Sequence, residues 1–253
     1  MKLLIWLFQK HRLLALVGMR LVQITGKHSQ RIHPKHLVKV VPWYLKYINK
    51  RDVVLDYGCG NGQHTLKIAK KCKKITGFDF DDESVELAII EAKKSKVKNV
   101  NFLKHNGEEK LPFKGGQFDV VFFVDVLEHI RNRDQALNEV YRVLRKKGKL
   151  LLSVPNVATS WKRLQKKYGF FYYTDPDHKI EYTKKQILNE LKKHRFKVVT
   201  LMLGLWDTPL SGLFDLIGGI SLGLYKRLRQ FRVNYASKHP AETDGFEIVA
   251  IKI

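Results

Sequence analysis

Nine consecutive residues carry the first chemistry: Val54-Leu55-Asp56-Tyr57-Gly58-Cys59-Gly60-Asn61-Gly62. A short apolar run ends in an acid and then in three glycines at alternate positions. Glycine lets the chain turn sharply and leaves bare backbone against which a ligand can lie. The pattern D-x-G-x-G-x-G differs from the G-x-G-x-x-G of dinucleotide loops, because position 63 is Gln. The next acid at the end of an apolar run is Asp79, 17 residues beyond Gly62. At the tip of an adjacent strand its carboxylate can accept both hydroxyls of a ribose. A second constellation is Asp125-Val126-Leu127-Glu128-His129, with His178 further along in Asp175-Pro176-Asp177-His178-Lys179-Ile180-Glu181. His129 is a candidate general base, with Glu128 beside it. Asp125, Glu128, His129 and His178 together also form a mixed oxygen and nitrogen donor set, which suits Mg²⁺, Mn²⁺ or Fe²⁺ better than a structural zinc. The local alternative makes Asp125 a helix N-cap, Glu128 its capping-box partner and His178 a loop residue that fixes backbone.

The elements that must position these residues alternate between strand and helix patterns. Apolar runs at Val53–Leu55, Lys74–Phe78, Val100–Leu103, Phe118–Val124 and Lys149–Val154 read as strands. Helical spacing fills Thr65–Lys71, Glu83–Lys94 and Asp134–Leu144. The run Phe118–Val124 is continuously apolar, as in a strand buried on both faces. Such alternation implies a parallel sheet with right-handed crossovers. A loop is expected over Asn156–Pro176, then a helix at Thr183–Lys193, a sixth strand at Phe196–Leu203 and a seventh at Phe246–Ile253. Asp125 to His129 fall just past the fourth strand. That is the carboxyl end of the sheet, where open α/β sheets bind ligands.

The glycine loop and Asp79 resemble motif I and the ribose-binding acid of class I S-adenosylmethionine-dependent methyltransferases. Phe118-Asp119-Val120-Val121 and Asp125-Val126-Leu127-Glu128-His129 resemble further blocks of that family. The resemblance covers roughly residues 51–155 and implies a Rossmann-like, seven-stranded, mostly parallel sheet with flanking helices. It implies that S-adenosylmethionine is bound by Asp56, Gly58, Cys59, Gly60 and Gly62, with Asp56, Gly58 and Gly60 at its methionine end. Asp79 would hold the ribose and Phe80 would lie beside the adenine; Asn106, Gly107 and Asp125 complete the expected cofactor set. Where the family often has Asp-Ala before Leu-Pro-Phe, this chain has Asn106-Gly107 before Leu111-Pro112-Phe113. Cys59 reads as a small packing residue. The Glu-His pair is typical of polyprenyl-phenol O-methyltransferases, and Asp-Pro-x-His followed by Tyr-Thr recurs in methyltransferases acting on glycans. With His178, the block also looks like the metal site of small-RNA ribose 2′-O-methyltransferases.

The 253 residues carry 47 Lys and Arg against 24 acids, a formal charge of +23. Such a field attracts polyanions, namely nucleic acid, an anionic membrane surface or acidic glycans. Residues 1–50 contain ten bases and no acid; Lys226 to Lys238 add five more bases and again no acid. Four segments follow: a basic amphipathic helical extension (1–50), the Rossmann-like domain (51–204), an apolar-basic insertion (205–245) and the last strand (246–253). In the extension Leu3, Leu4, Ile5, Leu7, Phe8, Leu14, Val17, Leu21 and Ile24 are interspersed with Lys10, Arg12 and Arg20, a composition that suits a helix lying in a membrane interface. In the insertion Leu210, Leu213, Phe214, Leu216, Ile217, Ile220 and Leu222 precede Lys226, Arg227, Arg229 and Arg232. A lid or a dimer contact is the competing reading. Trp43, Tyr44 and Tyr47 among Lys39, Lys46 and Lys50 keep an RNA surface open. Two cysteines, Cys59 and Cys72, form no disulfide framework. No secretory signal and no uninterrupted membrane span is legible, so the expected location is cytoplasmic, with or without peripheral attachment to a membrane. The expected acceptor is a small-molecule, lipid or glycan hydroxyl, with RNA as the alternative.

Overall fold

The computed structural model of the chain describes residues 1–9, 11–27, 33–34, 37–38 and 41–253. The expectations placed on Lys10, on Lys39 and on the side chains of Leu4, Phe8 and Arg12 lie outside what it describes. Contacts divide the chain into two compact units. One holds residues 1–41, 156–173 and 203–245; the other holds 42–155, 174–202 and 246–253.

The second unit carries the sheet. Its strands are β1 (Val53–Tyr57), β2 (Lys74–Asp79), β3 (Val100–Lys104), β4 (Phe118–Val124), β5 (Leu144–Pro155), β6 (Phe196–Leu203) and β7 (Gly245–Lys252). They lie in the order β3-β2-β1-β4-β5-β7-β6. The pairs β1–β2, β1–β4, β2–β3 and β4–β5 are parallel, with Val54 opposite both Ile75 and Val120. The chain therefore builds outward from β1 in one direction through β3, then returns to start β4 on the other side. This reversal opens a crevice at the carboxyl ends of β1 and β4. The connecting helices are α3 (Gln63–Ala69), α4 (Asp82–Lys94), α5 (Arg133–Val143) and α7 (Lys184–Lys193). Three of them start where a side chain satisfies their free N–H groups. Asp81 caps α4 through the Ser84 N–H, Asn132 caps α5 through the Gln135 N–H, and Thr183 with Gln186 forms a complete capping box on α7. Val54, Ile68, Ile75, Val120, Phe122, Leu151 and Val249 form one buried cluster in this sheet.

Three expectations are corrected here. β5 begins at Leu144, five residues before Lys149, because Leu144 pairs with Phe118 across a register shift; α5 stops at Val143. The expected loop 156–176 contains a further helix, α6 (Ser160–Lys167), in the other unit, with the Thr159 hydroxyl accepting from the Lys162 N–H. Its sequence is mostly basic and polar, which hid the helical period. Residues 42–50 belong with the sheet and not with the extension: in the 3₁₀ turn Trp43–Tyr47 the Tyr44 ring is buried against Phe122 and His64. Tyr44 is thus core, not a stacking platform for RNA.

The first unit is helical. It contains α1 (Lys2–Gln9), α2 (His11–Ile24), α6, α8 (Ser211–Ile220) and α9 (Leu222–Lys238). α2 and α8 touch backbone to backbone: a Cβ on Gly18 would stand 2.4 Å from the Asp215 carbonyl oxygen, and one on Gly219 would stand 2.4 Å from that of Gly18. Among the described residues no helix is long and apolar enough to cross a membrane.

Candidate active site

The glycine loop leaves β1 with Gly58, Gly60 and Gly62 all at positive φ (75°, 48° and 77°), a region closed to most side chains. Their surroundings differ. A Cβ on Gly58 would lie 2.6 Å from Val126 Cγ2, and one on Gly62 would lie 3.0 Å from both Ala88 and Phe102. These two glycines let the loop pack between α4, β3 and the turn after β4. Gly60 has nothing within 4 Å of its would-be Cβ and faces open space. That opening is the bare backbone a ligand needs. Asp79, at the end of β2, fixes the loop through one carboxylate oxygen, which accepts the Gly60 N–H at 2.8 Å; its other oxygen accepts the Asp81 N–H at 3.1 Å. Gly58 and Cys59 both donate to the Phe78 carbonyl. Asp56 is buried beneath the loop and takes the Thr65 hydroxyl at 2.5 Å. Burial pushes its pKa up to about 7; the Thr65 bond opposes this and the charge of Asp79 adds to it.

The other expected cofactor residues surround this loop. Cys59 is buried, with its Cβ side against Gly77, and burial pushes its thiol well above the usual range, which suits packing and not nucleophilic chemistry. Phe80 is 74% exposed, a large ring left on the surface next to Asp79. Asn106 oxygen accepts from the Glu108 N–H at 3.1 Å and its amide donates to Glu109. Gly107 has no room for a side chain because the Tyr57 ring fills that space, and the Tyr57 hydroxyl donates to the Gly107 carbonyl at 2.5 Å.

The second constellation converges only in part. Ligand atoms of Glu128, His129 and His178 lie within 4.8 Å of one another. Asp125 is not among these three. It sits just past β4 at φ 57°, and its carboxylate takes the hydroxyl of Ser153 on β5. The left-handed backbone at Asp125 turns its side chain towards the neighbouring strand, so it leaves the four-residue donor set expected from sequence. The capping-box alternative fails as well: the 3₁₀ turn Leu127–His129 has Val126 at its N-cap position and no side-chain cap, and Glu128 is buried. Among the described residues Glu128 Oε2 has no hydrogen-bond partner, and burial raises its pKa to about 8. The Glu128 carbonyl accepts the N–H groups of Lys179 and Ile180 at 2.8 and 3.3 Å, which docks the 178–182 segment on the end of β4.

His178 is held by a residue that the sequence did not single out as a ligand. Its Nδ1 lies 2.9 Å from Oε1 of Glu181, which is 2% exposed and also accepts the Thr174 N–H. A neutral ring that donates from Nδ1 to that carboxylate would present its Nε2 lone pair, and Nε2 lies 4.0 Å from Glu128 Oε1. The rings of His129 and His178 meet edge to face at 4.6 Å between centroids. His129 is exposed. Partial burial, then the adjacent His178, lowers its pKa, so its neutral form is favoured near neutral pH. Ser153 was legible only as a strand residue, because its partner Asp125 lies 28 residues away, whereas Glu181 lies only three residues from His178 and its spacing alone did not mark it as the ring's partner.

A glycine cradle at the end of the first strand, a carboxylate at the end of the second and a titratable cluster past the fourth, on a sheet of this order, are the parts of a Rossmann-like class I methyltransferase. The sequence comparison agrees: the model for methyltransferase domains matches residues 48–201, and the chain belongs to that family. It is 34% identical over 106 residues to a probable S-adenosylmethionine-dependent methyltransferase of Mycolicibacterium smegmatis, which covers 42% of this chain and 39% of that protein. It is 29% identical over 128 residues to the ubiquinone biosynthesis O-methyltransferase of Shewanella pealeana, covering 48% of this chain and 54% of that one. The chain thus spans about half the length, or less, of these curated relatives. A solved S-adenosylmethionine-dependent methyltransferase of Methanosarcina mazei shares the fold, with a TM-score of 0.60 and 22% identity over 85% of this chain and 99% of that one.

Proposed function

We propose that this protein transfers a methyl group from S-adenosylmethionine to a hydroxyl oxygen of a lipid-linked, glycan or polyprenyl-type acceptor at a membrane surface. The observation that carries the methyl-transfer reading is the open backbone at Gly60 with Asp79 beside it. Asp79 and the open face of Gly60 fit the donor, because a carboxylate matches ribose hydroxyls and uncovered backbone lets a ligand lie close. When bound, S-adenosylmethionine supplies an electrophilic methyl group on a sulfonium. The chain's own work is to align the acceptor and take its proton. His129 suits the removal of that proton, since its ring is exposed, packs edge to face on His178, and is biased towards the neutral form. The O-methylating relative of Shewanella pealeana supports an oxygen acceptor, and the excess of bases over acids supports anionic surroundings. Isothermal calorimetry with S-adenosylmethionine and its demethylated product tests the donor half. Labelled donor incubated with lipid, glycan, RNA and protein fractions of a cell extract tests the acceptor half, with label expected in the lipid or glycan fraction.

The convergence of Glu128, His129 and His178 supports a second reading, a divalent cation that engages a ribose 2′-hydroxyl of RNA. Glu128 Oε2, buried and without a partner among the described residues, fits such an ion. It predicts label in the RNA fraction and loss of activity in chelator, restored by Mg²⁺ or Mn²⁺. Full activity in chelator removes it.

A further inference from the structure

α2 is apolar on two faces, and among the described residues only one of them is covered. The inner face is closed against α8 by Gly18 and Val22; Val22 is fully buried, and the Gly18–Gly219 contact leaves no space between the two backbones. The outer face recurs at helical spacing through Leu13, Leu16, Val17, Arg20 and Ile24, and of these only Arg20 is polar. Leu16 is 59% exposed and Ile24 67% exposed. α1 repeats the arrangement, with Ile5 buried and Leu3 and Leu7 more than half exposed. A helix on the surface of a globular protein ordinarily turns a charged face to water. Here the outward face is leucine-rich over both helices, an apolar patch of the kind that marks a contact surface.

Charge selects the occupant. The helical unit that contains α1 and α2 holds seventeen Lys and Arg against four carboxylates, a formal +13 of the chain's +23. The first carboxylate in the whole sequence is Asp52. A second copy of this chain seated on the same face would bring α1 and α2, which hold bases and no acid, against themselves. Nucleic acid would meet the charge and leave the leucines without a partner. Apolar side chains in a strongly basic unit match an anionic bilayer, where both needs are met at the level of the headgroups. The geometry is interfacial and not spanning: α2, at 14 residues, is about 21 Å long, against a hydrocarbon core of about 30 Å.

We infer that the outer face of α1 and α2 docks the protein on a bilayer of anionic lipid, with Leu3, Leu13, Leu16 and Ile24 entering the interface. This names the membrane partner on which the reading above rests, and it is independent of the transfer chemistry. The experiment uses the full chain and vesicles of phosphatidylglycerol and phosphatidylcholine, with pure phosphatidylcholine as the comparison. The wild type should co-sediment with the anionic vesicles, and its affinity should fall about tenfold or more as salt is raised to screen the bases. Leu13→Glu/Leu16→Glu should lower that affinity by a similar factor while circular dichroism and thermal midpoint stay at wild-type values, since both residues are exposed. Wild-type protein that remains in the supernatant at low salt overturns the inference, as does a double variant that binds like wild type. Equal binding to both vesicle types removes the anionic requirement and overturns it as stated. A wild-type dimer that the double variant dissolves, without vesicle binding, assigns the face to a second copy instead. Donor affinity by calorimetry on the same samples reports separately on the methyl-transfer reading.

Discussion

At the scale of single residues, the site depends on groups whose strength comes from where they are held. Asp79 is useful because Gly60 and Asp81 orient both of its oxygens before any ligand arrives. Replacing it with Ala should weaken S-adenosylmethionine binding about 10- to 100-fold, the range for losing hydrogen bonds to a charged group; calorimetry measures this. Gly58→Ala should fail for a different reason, since its methyl would need to enter space held by Val126 at a backbone φ of 75°. Asp56 sets a pH dependence. Its folded pKa, about 7, stands above its ordinary value of 3.8. The stability it contributes is therefore complete below about pH 4 and is lost as pH rises through 7. Asp244, raised by burial to about 6, acts with the same sign. The thermal midpoint of the ligand-free protein should fall over that range, and Asp56→Asn should flatten the fall. Glu181 acts through His178: Glu181→Gln should shift the tautomer balance of His178 in a ¹⁵N imidazole spectrum and leave that of His194, which bonds the Glu190 carbonyl, unchanged.

At the scale of elements, the glycines that matter most outside the ligand loop are those that let helices touch. Gly18→Val should destabilise the helical unit by roughly 1–3 kcal/mol, the usual cost of overpacking, because the added side chain meets the rigid backbone of α8 at Asp215. Thermal unfolding followed by circular dichroism measures it. Strands β1 to β4 and helices α4 and α7 were legible because the strands are apolar runs, and each helix combines a clear period with a start signal, Asp81 or Thr183. The start of β5 was not, since Leu144-Arg145-Lys146-Lys147 lacks an apolar run and is extended only because Leu144 pairs with Phe118. α6 was missed for a similar reason: Ser160–Lys167 is amphipathic but has few apolar residues to announce it.

At the scale of the whole molecule, charge and fold are separate matters. The sheet order is set by the alternation of strands and helices, whereas the +23 governs what the surface attracts. More than half of that charge lies in the unit formed by the first 41 residues, 156–173 and 203–245. That unit gathers three stretches far apart in sequence, and for this reason the four segments drawn from sequence do not coincide with the two units found. Association with any polyanion should weaken steeply with ionic strength while donor binding changes little, because the Asp79 contacts act at hydrogen-bond distance and surface attraction is screened beyond about 10 Å at 0.1 M salt.

The sequence by itself determined the glycine loop, the acid at the end of the next strand, the alternation of strands and helices, and the concentration of bases at the amino terminus. These are local or periodic properties, and a chain displays them before it folds. Tertiary structure decided that Asp125 meets Ser153, that Tyr44 is core, and that α2 keeps one apolar face uncovered among the described residues. Each of these depends on residues brought together across the fold, and spacing along a sequence does not report which partner a side chain will meet.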